Sequence, residues 1–511
     1  MTLVSDIREL RKNGQLDEAL ELAKESFEQI SDDIWLKREM AWIYYALAKK
    51  AEVSEAIQYL EGISQLELKT AEETLLGEQL SWVCANIAKQ FYEKYHQDSD
   101  FLSNAKVIIE TMQKVVDVAG RVPMAIPSKG YSLFITNLHK LFKDRSGYAT
   151  IFHSIGFDNF SSEDTKPYKT ESGRTILPLA EQIYLAYTKA LLVGLNREDK
   201  TATIYAEEFV NHLQIVSNNH PEFLWTEYSQ TKLLIALNRA SDAVASCVDF
   251  IKKKPKEFWA WECLGQVYKQ TDAKLSMSCY CMALMCNSKE EFLVNTMENA
   301  AELMAINGFY NEARTEIERA ARIRRDKWGK TSTIISALQS TSWYVSSVAS
   351  TDNIAFYKTH SQIAQASVFG TQKVIVITNI NFEKRFANYI SEGDKVGFFN
   401  FAKLANKVKV KVGQIYKVTF IKEVTDGPSD VLSVDMVEDI SQYSYLRKII
   451  SGEIKILPSG VGFIEDCFVS PEIIKTHNLT NGQKIAAIAI RSYNRKKQSI
   501  GWSVINLSNA H

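Results

Sequence analysis

A chain of 511 residues is too long to fold around one hydrophobic core, so we expect two to four domains. Apolar residues make up 46% and charged residues 24% of the chain, which is typical of a globular protein and argues against disorder. The formal net charge of −1 argues against binding of polyanions over the whole surface, so any nucleic-acid surface would be local.

Two features of the sequence predict a cytoplasmic protein. Residues Met1–Leu10 contain no apolar segment of the kind found in a secretory signal. The seven cysteines are odd in number and lie mostly in apolar helical segments, which is typical of reduced core thiols. Cys279, Cys281 and Cys286 form the one cluster. Because no second Cys/His pair follows at zinc spacing, we interpret them as core residues and expect no metal or other cofactor.

Helical periodicity predicts a solenoid over residues 1–345. Pro221 and Pro255 are 34 residues apart. The second proline is followed by two helical segments that carry Trp261, Leu264, Gly265 and Tyr268, and then Tyr280, Ala283 and Leu284. This pattern resembles the tetratricopeptide repeat, in which small residues let two helices approach and rings fill the gaps beside them. Similar but degenerate patterns occur at 14–45 and 308–320. The resemblance implies a groove for a protein partner.

Two segments interrupt the helical pattern. Residues 153–178 are polar and rich in turn-forming residues, which indicates either an inserted loop on the binding face or a structural connector. Residues 331–351 are uncharged but contain seven serines and four threonines, so we interpret them as the junction to the β region rather than as a membrane span. A helical linker is expected over 346–370, with 357–369 packing beneath the following domain.

From about Gln372 the apolar period changes from 3.6 to 2. Strands are predicted at 373–378, 395–401, 414–421 and 431–435, with turns at 392–394 and 426–428 between them. Several short strands within 371–440 predict a small OB-like barrel.

The last domain, 441–511, carries the most specific pattern in the chain. Four segments follow in order, namely GEIKIL at 452–457, SGVGFI at 459–464, DCFVSP at 466–471 and NLTNG at 478–482. The run resembles a cold-shock-type OB-fold, and in particular the RNA-binding domain of the transcription termination factor Rho family. No motor accompanies it, because Arg324 stands where a phosphate-binding loop ending in Gly329-Lys330-Thr331 needs its first glycine.

The resemblance implies a surface for single-stranded RNA or DNA. Alternate residues of a strand share a face, so Val461 lies with Phe463, while Phe468 and Ser470 are within cross-strand reach. By the family pattern Phe463 and Phe468 stack on bases, while Lys475 and Arg491 contact the phosphate backbone. Glycines at 460 and 462 leave room for a flat base. The candidate nucleic-acid-binding residues are Lys455, Val461, Phe463, Phe468, Ser470, Lys475, Arg491 and Lys496.

Charge supports this surface, although two residues depart from the family pattern. Residues 441–511 hold nine Lys/Arg against four Asp/Glu, a balance of +5, which leaves −6 for the remainder. Val461 replaces the usual phenylalanine, and Glu465 stands where a basic residue is common. The alternative is that the two phenylalanines pack the barrel or a neighbouring domain.

Three further basic patches could contact phosphates or be ordinary charged surface. They are residues 252–256; Arg322, Arg324, Arg325, Lys327 and Lys330 beside Trp328; and Lys403, Lys407, Lys409 and Lys411 on a strand-like face.

No catalytic motif is present, since the sequence has neither a His-Glu-x-x-His motif nor a nucleophile elbow. We therefore expect a non-enzymatic adaptor that binds a protein through its repeats and a single strand through its last domain. By analogy of architecture, it would serve bacterial RNA metabolism or defence against mobile elements. The alternatives are a protein-only scaffold or co-chaperone, and a nuclease hidden in the degenerate middle.

Overall fold

The computed structural model describes residues 3–404, 409–424, 427–494 and 497–508. The chain forms two compact units, Met1–Ala240 and Ser241–His511. Helices dominate the first unit, whereas the second begins with helices and ends with two β domains. The predicted fold class, a helical region followed by two small OB-like β domains, is confirmed. Among the described residues, no helix is long and apolar enough to cross a membrane.

The first unit contains eleven α-helices and one short β-hairpin among its described residues. The elements are α1 (Leu3–Lys12), α2 (Leu16–Phe27), α3 (Ile34–Ala48), α4 (Val53–Ser64), α5 (Thr74–Tyr95), α6 (Asp98–Ala119), α7 (Lys129–Phe142), α8 (Tyr148–Ile155), β1 (Tyr168–Lys169), β2 (Thr175–Ile176), α9 (Leu179–Leu195), α10 (Lys200–Asn219) and α11 (Thr226–Ala236).

Small residues allow a close helix contact in the first unit, between α5 and α7. A Cβ atom added to Gly130 would lie 2.2 Å from Oγ of Ser81, so only glycine fits there. The side-chain amide of Asn137 donates a hydrogen bond to the carbonyl oxygen of Ala85, at 3.1 Å. This contact joins helices that are not consecutive, and it departs from a regular solenoid.

The polar segment after α8 is tied to α7 by hydrogen bonds. Its buried Asp164 accepts hydrogen bonds from the hydroxyl of Ser132 at 2.6 Å and from the backbone N–H of Ser161 at 2.9 Å. The β1–β2 hairpin extends from this anchor and leaves Tyr168 57% exposed. The predicted boundary was early by a few residues, since α8 continues to Ile155.

Eight helices open the second unit within its described residues. They are α12 (Val244–Lys253), α13 (Phe258–Tyr268), α14 (Ala273–Met285), α15 (Glu290–Ile306), α16 (Tyr310–Trp328), α17 (Thr333–Gln339), α18 (Ser342–Ser346) and α19 (Ile354–Phe369). Helices α13 to α16 each pack against the next in the chain, which is the arrangement of a helical repeat.

Gly265 and Tyr280 form the close helix contact that the repeat pattern predicts. A Cβ atom at Gly265 would lie 2.6 Å from the ring of Tyr280, so the tyrosine fills the space that the glycine leaves. In α14, the helix of Tyr280, Cys279 and Cys281 are fully buried, and Cys286 follows the end of the helix. Burial raises the pKa of all three thiols, to about 12 for Cys286, so they remain protonated at neutral pH.

Helix α19 joins the repeats to the first β domain. Its buried Gln365 accepts hydrogen bonds from the hydroxyls of Thr419 and Ser433, each at 2.8 Å. The amide of the same side chain lies 3.2 Å from the sulfur of Met282 in α14. One polar side chain therefore connects two helices with the strands of the barrel.

The first β domain is a closed five-stranded barrel with the strand order β3-β4-β5-β7-β6. Its strands are β3 (Lys373–Asn381), β4 (Phe386–Ser391), β5 (Lys395–Asn400), β6 (Ile415–Lys422) and β7 (Pro428–Met436). Strands β5 and β7 are parallel, and the other pairs are antiparallel. Ile377, Tyr389, Phe399 and Val418 are among the inward residues that fill the barrel.

The second β domain repeats this topology. Its sheet has the order β8-β12-β13-β11-β10-β9, and only Ile454 separates β8 from β9, so the two edge strands are one continuous segment. Strands β11 and β13 form the single parallel pair, as β5 and β7 do in the first barrel. The elements are β8 (Arg447–Glu453), β9 (Lys455–Ile456), β10 (Gly462–Ile464), β11 (Cys467–Val469), α20 (Pro471–Thr476), β12 (Lys484–Asn494) and β13 (Ser499–Leu507).

The two β domains pack against each other through a hydrophobic core of their own. Val376, Ile390 and Ile415 of the first barrel meet Ile490 of the second domain. Tyr443 and Leu446, from the connecting segment, complete this core. Burial of branched apolar side chains from both domains holds the pair in one arrangement.

Candidate nucleic-acid interface

Phe463 and Phe468 face each other across the antiparallel strands β10 and β11. They are direct register partners, and their ring centroids lie 5.9 Å apart in an edge-to-face arrangement. Both rings are half-buried. The pair therefore presents aromatic surface on two neighbouring strands.

The residues that alternate with these phenylalanines point the other way. Ile464, Cys467 and Val469 are fully buried in the core of the domain, and neither phenylalanine belongs to that core. Because side chains alternate between the two faces of a strand, the two rings lie on its outer face. They are thus available to a ligand without disturbing the barrel.

Lys455 lies beside this aromatic pair. It is the register partner of Phe463 on β9, and it is exposed. Register partners share a face of the sheet, so its ammonium group extends from the side that carries the rings. Val461 immediately precedes β10 and is half-buried. The structure therefore brings together a cation and two rings on one face of the sheet.

The two glycines have different roles from the ones predicted. A Cβ atom at Gly462 would lie 3.0 Å from Ile454 and 3.1 Å from Ile474, so this glycine is required for packing on the core side. Gly460 has a φ of +81° and nothing within 4 Å of a built Cβ, so it serves a left-handed turn. Neither glycine was needed to clear space over the rings.

The remaining predicted residues that the structure describes lie outside strands β9 to β11. The hydroxyl of Ser470 caps α20 by accepting from the backbone N–H of Ile473, and Lys475 is exposed in the last turn of that helix. Arg491 forms an ion pair with Asp394 of the first β domain and stacks against Trp502, with its guanidinium carbon 5.4 Å from the ring centroid. Lys496 lies outside the described residues.

Acidic side chains also border the interface. Glu465 is exposed, with a φ of +52°, in the turn between β10 and β11. The next residue, Asp466, accepts a hydrogen bond from the ammonium group of Lys448 at 3.1 Å, which holds the pKa of this carboxyl below its ordinary value. Lys448 also lies 4.4 Å from the ring centroid of Trp502. One of the two acidic charges is therefore neutralised locally.

Sequence reasoning missed a second aromatic pair, on the first β domain. Phe386 of β4 and Phe398 of β5 meet edge to face, with ring centroids 5.4 Å apart. Their neighbours Ala387 and Phe399 are buried in the barrel, so both rings lie on its outer face. Phe386 and Asn388 alternate with the apolar Ala387 and Tyr389, and this weak period of two is the signal that could have revealed the pair.

The outer face of β4 and β5 forms the floor of an open groove of about 970 Å³ between the two β domains. The lining residues from the first domain are Thr378, Asn379, Asn388, Asp394, Val396, Gly397 and Phe398. Those from the β12–β13 hairpin of the second domain are Ser492, Tyr493, Gln498 and Ile500.

The other basic patches are partly occupied by neighbouring acids. In α16, Arg324 is ion-paired with Glu298, and Lys327 lies 3.0 Å from Glu291. Arg322, Arg325 and Lys330 remain exposed. Lys252, from the first of the three patches, lies 3.2 Å from Asp249.

The predicted alternation of lysines before β6 is seen in part, because Lys409 and Lys411 are exposed on either side of the buried Val410. Lys409 and Lys411 precede β6 and belong to no strand, because the backbone there turns around the hydroxyl of Tyr416. Lys407 and the side chain of Lys403 lie outside the described residues.

Comparison with protein families agrees with the two β domains. Residues 370–428 match the S1/CSD-like domain 1 of the TOTE conflict systems, and residues 448–507 match the S1/CSD-like domain 2 of the same systems. Residues 224–364, in the helical region, match a domain of unknown function, DUF7017. No curated protein matches the chain.

Among solved structures, the chain is similar to the "TPR2AB-domain:pHSP90-complex of yeast Sti1". The two share 13% sequence identity, over 67% of this chain and 96% of that chain. The TM-score of 0.18 is too low to indicate a shared fold.

Proposed function

We propose that the chain is a non-enzymatic adaptor whose second β domain binds single-stranded RNA or DNA and whose helical region binds a protein partner. The observation that carries the proposal is the outward pair of Phe463 and Phe468 with Lys455 in register beside it. OB-type surfaces bind single strands by stacking bases on aromatic rings while cations meet the phosphates.

The chemistry of the surface favours binding without strong sequence preference. An aromatic ring accepts any base, because every base has a π-face. Lys455 supplies a phosphate contact, whereas Glu465 opposes one. Affinity should therefore be moderate and should fall as salt rises, since each phosphate contact releases counterions.

The family matches supply a biological setting for this activity. Both β domains resemble domains described from conflict systems, which supports a role in defence against mobile elements. The resemblance of 452–482 to the RNA-binding domain of the Rho family supports RNA as one ligand. Bacterial RNA metabolism is the related setting that this resemblance favours.

The helical region supports the protein-binding half of the proposal. A groove of about 630 Å³ lies between α4, α5 and α6, and Ile57 and Phe91 are among its lining residues. Exposed apolar side chains on the same helices include Leu75 and Leu102, each 73% exposed. Grooves of this kind between helical repeats accept peptide segments of partner proteins.

Fluorescence anisotropy of the full chain with labelled single-stranded RNA and DNA tests the strand-binding half. Replacing both phenylalanines, Phe463→Ala with Phe468→Ala, should weaken binding by about 5- to 150-fold for each base that loses its stacking partner. Phe292→Ala, which removes a 64% exposed ring from α15, is the matched control and should bind like wild type.

Two results would overturn this half of the proposal. A folded wild-type chain that binds neither RNA nor DNA would make the β domains a second protein-docking surface. Equal affinity of the wild type and the double variant would place the strand elsewhere.

A further inference from the structure

We infer that the groove between the two β domains is a second site for the same single strand, with walls from both domains. This inference rests on the proposed strand-binding function and adds a site that neither domain contains alone. The groove is separate from the Phe463–Phe468 pair, which does not line it. Its volume of about 970 Å³ is at the upper end of the range of small-molecule pockets, and its open form suits a chain that enters and leaves.

The floor of the groove is a row of outward side chains across three strands of the first barrel. Asn379 of β3 is the register partner of Asn388 of β4, and Asn388 is the partner of Phe398 of β5. Phe386 packs edge to face on Phe398 and extends the aromatic surface. A base lying on this floor meets one ring and two side-chain amides.

The amides are available for hydrogen bonding. Within the described ranges, the side chains of Asn379 and Asn388 make no hydrogen bond to another residue. An asparagine amide offers both donors and an acceptor, which matches the edges of unpaired bases. The row can therefore bind a base edge while the neighbouring ring stacks on its face.

The opposite wall comes from the second domain. Tyr493 of β12 is 39% exposed, and in the described part of the chain its ring contacts no other aromatic ring. It lines the groove together with Gln498, from the turn before β13. A free ring on one wall, with Phe398 on the other side of the groove, provides two stacking surfaces for a single strand.

An exposed cation adjoins the second wall. Lys497 lies in the turn before β13, next to the lining residue Gln498. Asp394, the carboxylate among the lining residues, is neutralised by its ion pair with Arg491. The groove thus has exposed positive charge at its border and a compensated negative charge inside, which suits a phosphate backbone.

The site is assembled before the strand arrives. The apolar core that contains Val376, Ile390 and Ile490 fixes the two domains against each other. The ion pair of Asp394 with Arg491 joins them at the border of the groove. Binding therefore does not require the domains to be ordered first, which lowers its entropic cost.

Anisotropy titrations of the full chain with labelled, mixed-sequence single-stranded RNA and DNA test the inference. Tyr493→Ala should weaken binding by about 5- to 150-fold, as expected for the loss of one stacked base. Tyr493→Phe should retain the affinity because it keeps the ring. Tyr168→Ala, at a 57% exposed tyrosine of the first unit, is the matched control and should not change it. Asn388→Ala should weaken binding independently of the tyrosine.

The outcomes separate this inference from the proposed function. If Phe463→Ala with Phe468→Ala weakens binding while Tyr493→Ala and Asn388→Ala match the control, the groove is not a site and the proposed function stands. If the groove variants alone weaken binding, the groove stands and the face of β10 and β11 is not used. If the wild type binds neither probe, both fail.

Discussion

Arg491 of the second β domain and Asp394 of the first are joined by an ion pair, in which the Nε of the arginine lies 3.0 Å from Oδ1 of the aspartate. The same guanidinium stacks on Trp502. The family resemblance assigned Arg491 to the phosphate backbone, whereas the structure uses it between domains. Arg491 therefore joins the two β domains, and its guanidinium is already paired with a carboxylate.

The contribution of this ion pair to stability should be small and sensitive to salt. Both side chains are partly exposed, at 23% for Arg491 and 45% for Asp394, so we expect a coupling of about 0.2–1 kcal/mol. A double-mutant cycle with Asp394→Asn and Arg491→Met, measured by urea unfolding at low and high salt, checks this value. Glu163→Gln, at an exposed pair within the first unit, is the control. A coupling that salt leaves unchanged would contradict the account.

Loss of the Gln365 side chain should destabilise the second unit strongly. Gln365→Ala removes the acceptor of the Thr419 hydroxyl, leaves Ser433 with Thr419 as its acceptor at 3.1 Å, and opens a cavity. We therefore expect a loss of about 2–4 kcal/mol in the free energy of unfolding. Gln362→Ala, on the exposed face of the same helix, should change it by less than about 0.5 kcal/mol. If chemical denaturation gave the two variants the same free energy of unfolding, the hydrogen bonds of Gln365 would not stabilise the unit.

A methyl group at Gly265 should disturb the contact between α13 and α14. Its Cβ would lie 2.6 Å from the ring of Tyr280, so Gly265→Ala should cost about 1–3 kcal/mol despite the better helix propensity of alanine. Gly120→Ala places its Cβ no closer than 3.7 Å to a neighbouring atom and should be nearly neutral. Thermal unfolding of both variants checks the difference. A stabilised Gly265→Ala would show that the ring moves aside freely.

The first unit should lose stability as pH falls from about 6.5 to about 4. Burial, reinforced by Lys143, lowers the pKa of His139 to about 4, and its Nδ1 lies 2.8 Å from the hydroxyl of Tyr148. Since the folded pKa is below the unfolded value, the unfolded chain binds more protons in this window. The contribution of neutral His139 to the free energy of unfolding is fully present above the pKa of the unfolded state. It falls by about 3 kcal/mol as pH falls through the pKa of the folded state.

His139→Gln provides the comparison for this pH dependence. The variant loses the titrating group, so the difference in unfolding free energy between wild type and variant should shrink as pH falls through the window. Urea denaturation at a series of pH values measures that difference. A constant difference would mean that His139 does not carry the effect.

Local sequence patterns predicted many helices and strands well, because the formation of these elements depends largely on residues that are close in the sequence. Three of the four predicted strands of the first barrel begin within one residue of the observed strands, and the fourth begins three residues late. The contact of Gly265 in α13 with Tyr280 in α14 agrees with the repeat pattern. In that pattern a small residue lets two helices approach, and a ring fills the gap beside it. The aromatic pair on β10 and β11 follows from strand alternation in the same way.

Contacts between distant segments could not be predicted from one sequence. Strand β4 was overlooked because Phe386–Ser391 mixes small, polar and aromatic residues, so its period of two is weak and its pairing with β3 and β5 defines it more clearly. The ion pair of Arg491 spans 97 positions, and no local pattern reports it. The groove depends on Phe398 and Tyr493 from different domains, so its existence follows from domain packing alone.

The measurement that tests the central claim most directly is photocrosslinking of the full chain to 4-thiouracil-substituted single-stranded RNA, followed by mass spectrometry of the adducts. Strand binding by the β domains predicts adducts on the peptides of β10 and β11, with further adducts on β4, β5 or the peptide of Tyr493. Adducts confined to the helices α1 to α19, under conditions where the RNA is saturated with protein, would contradict the account.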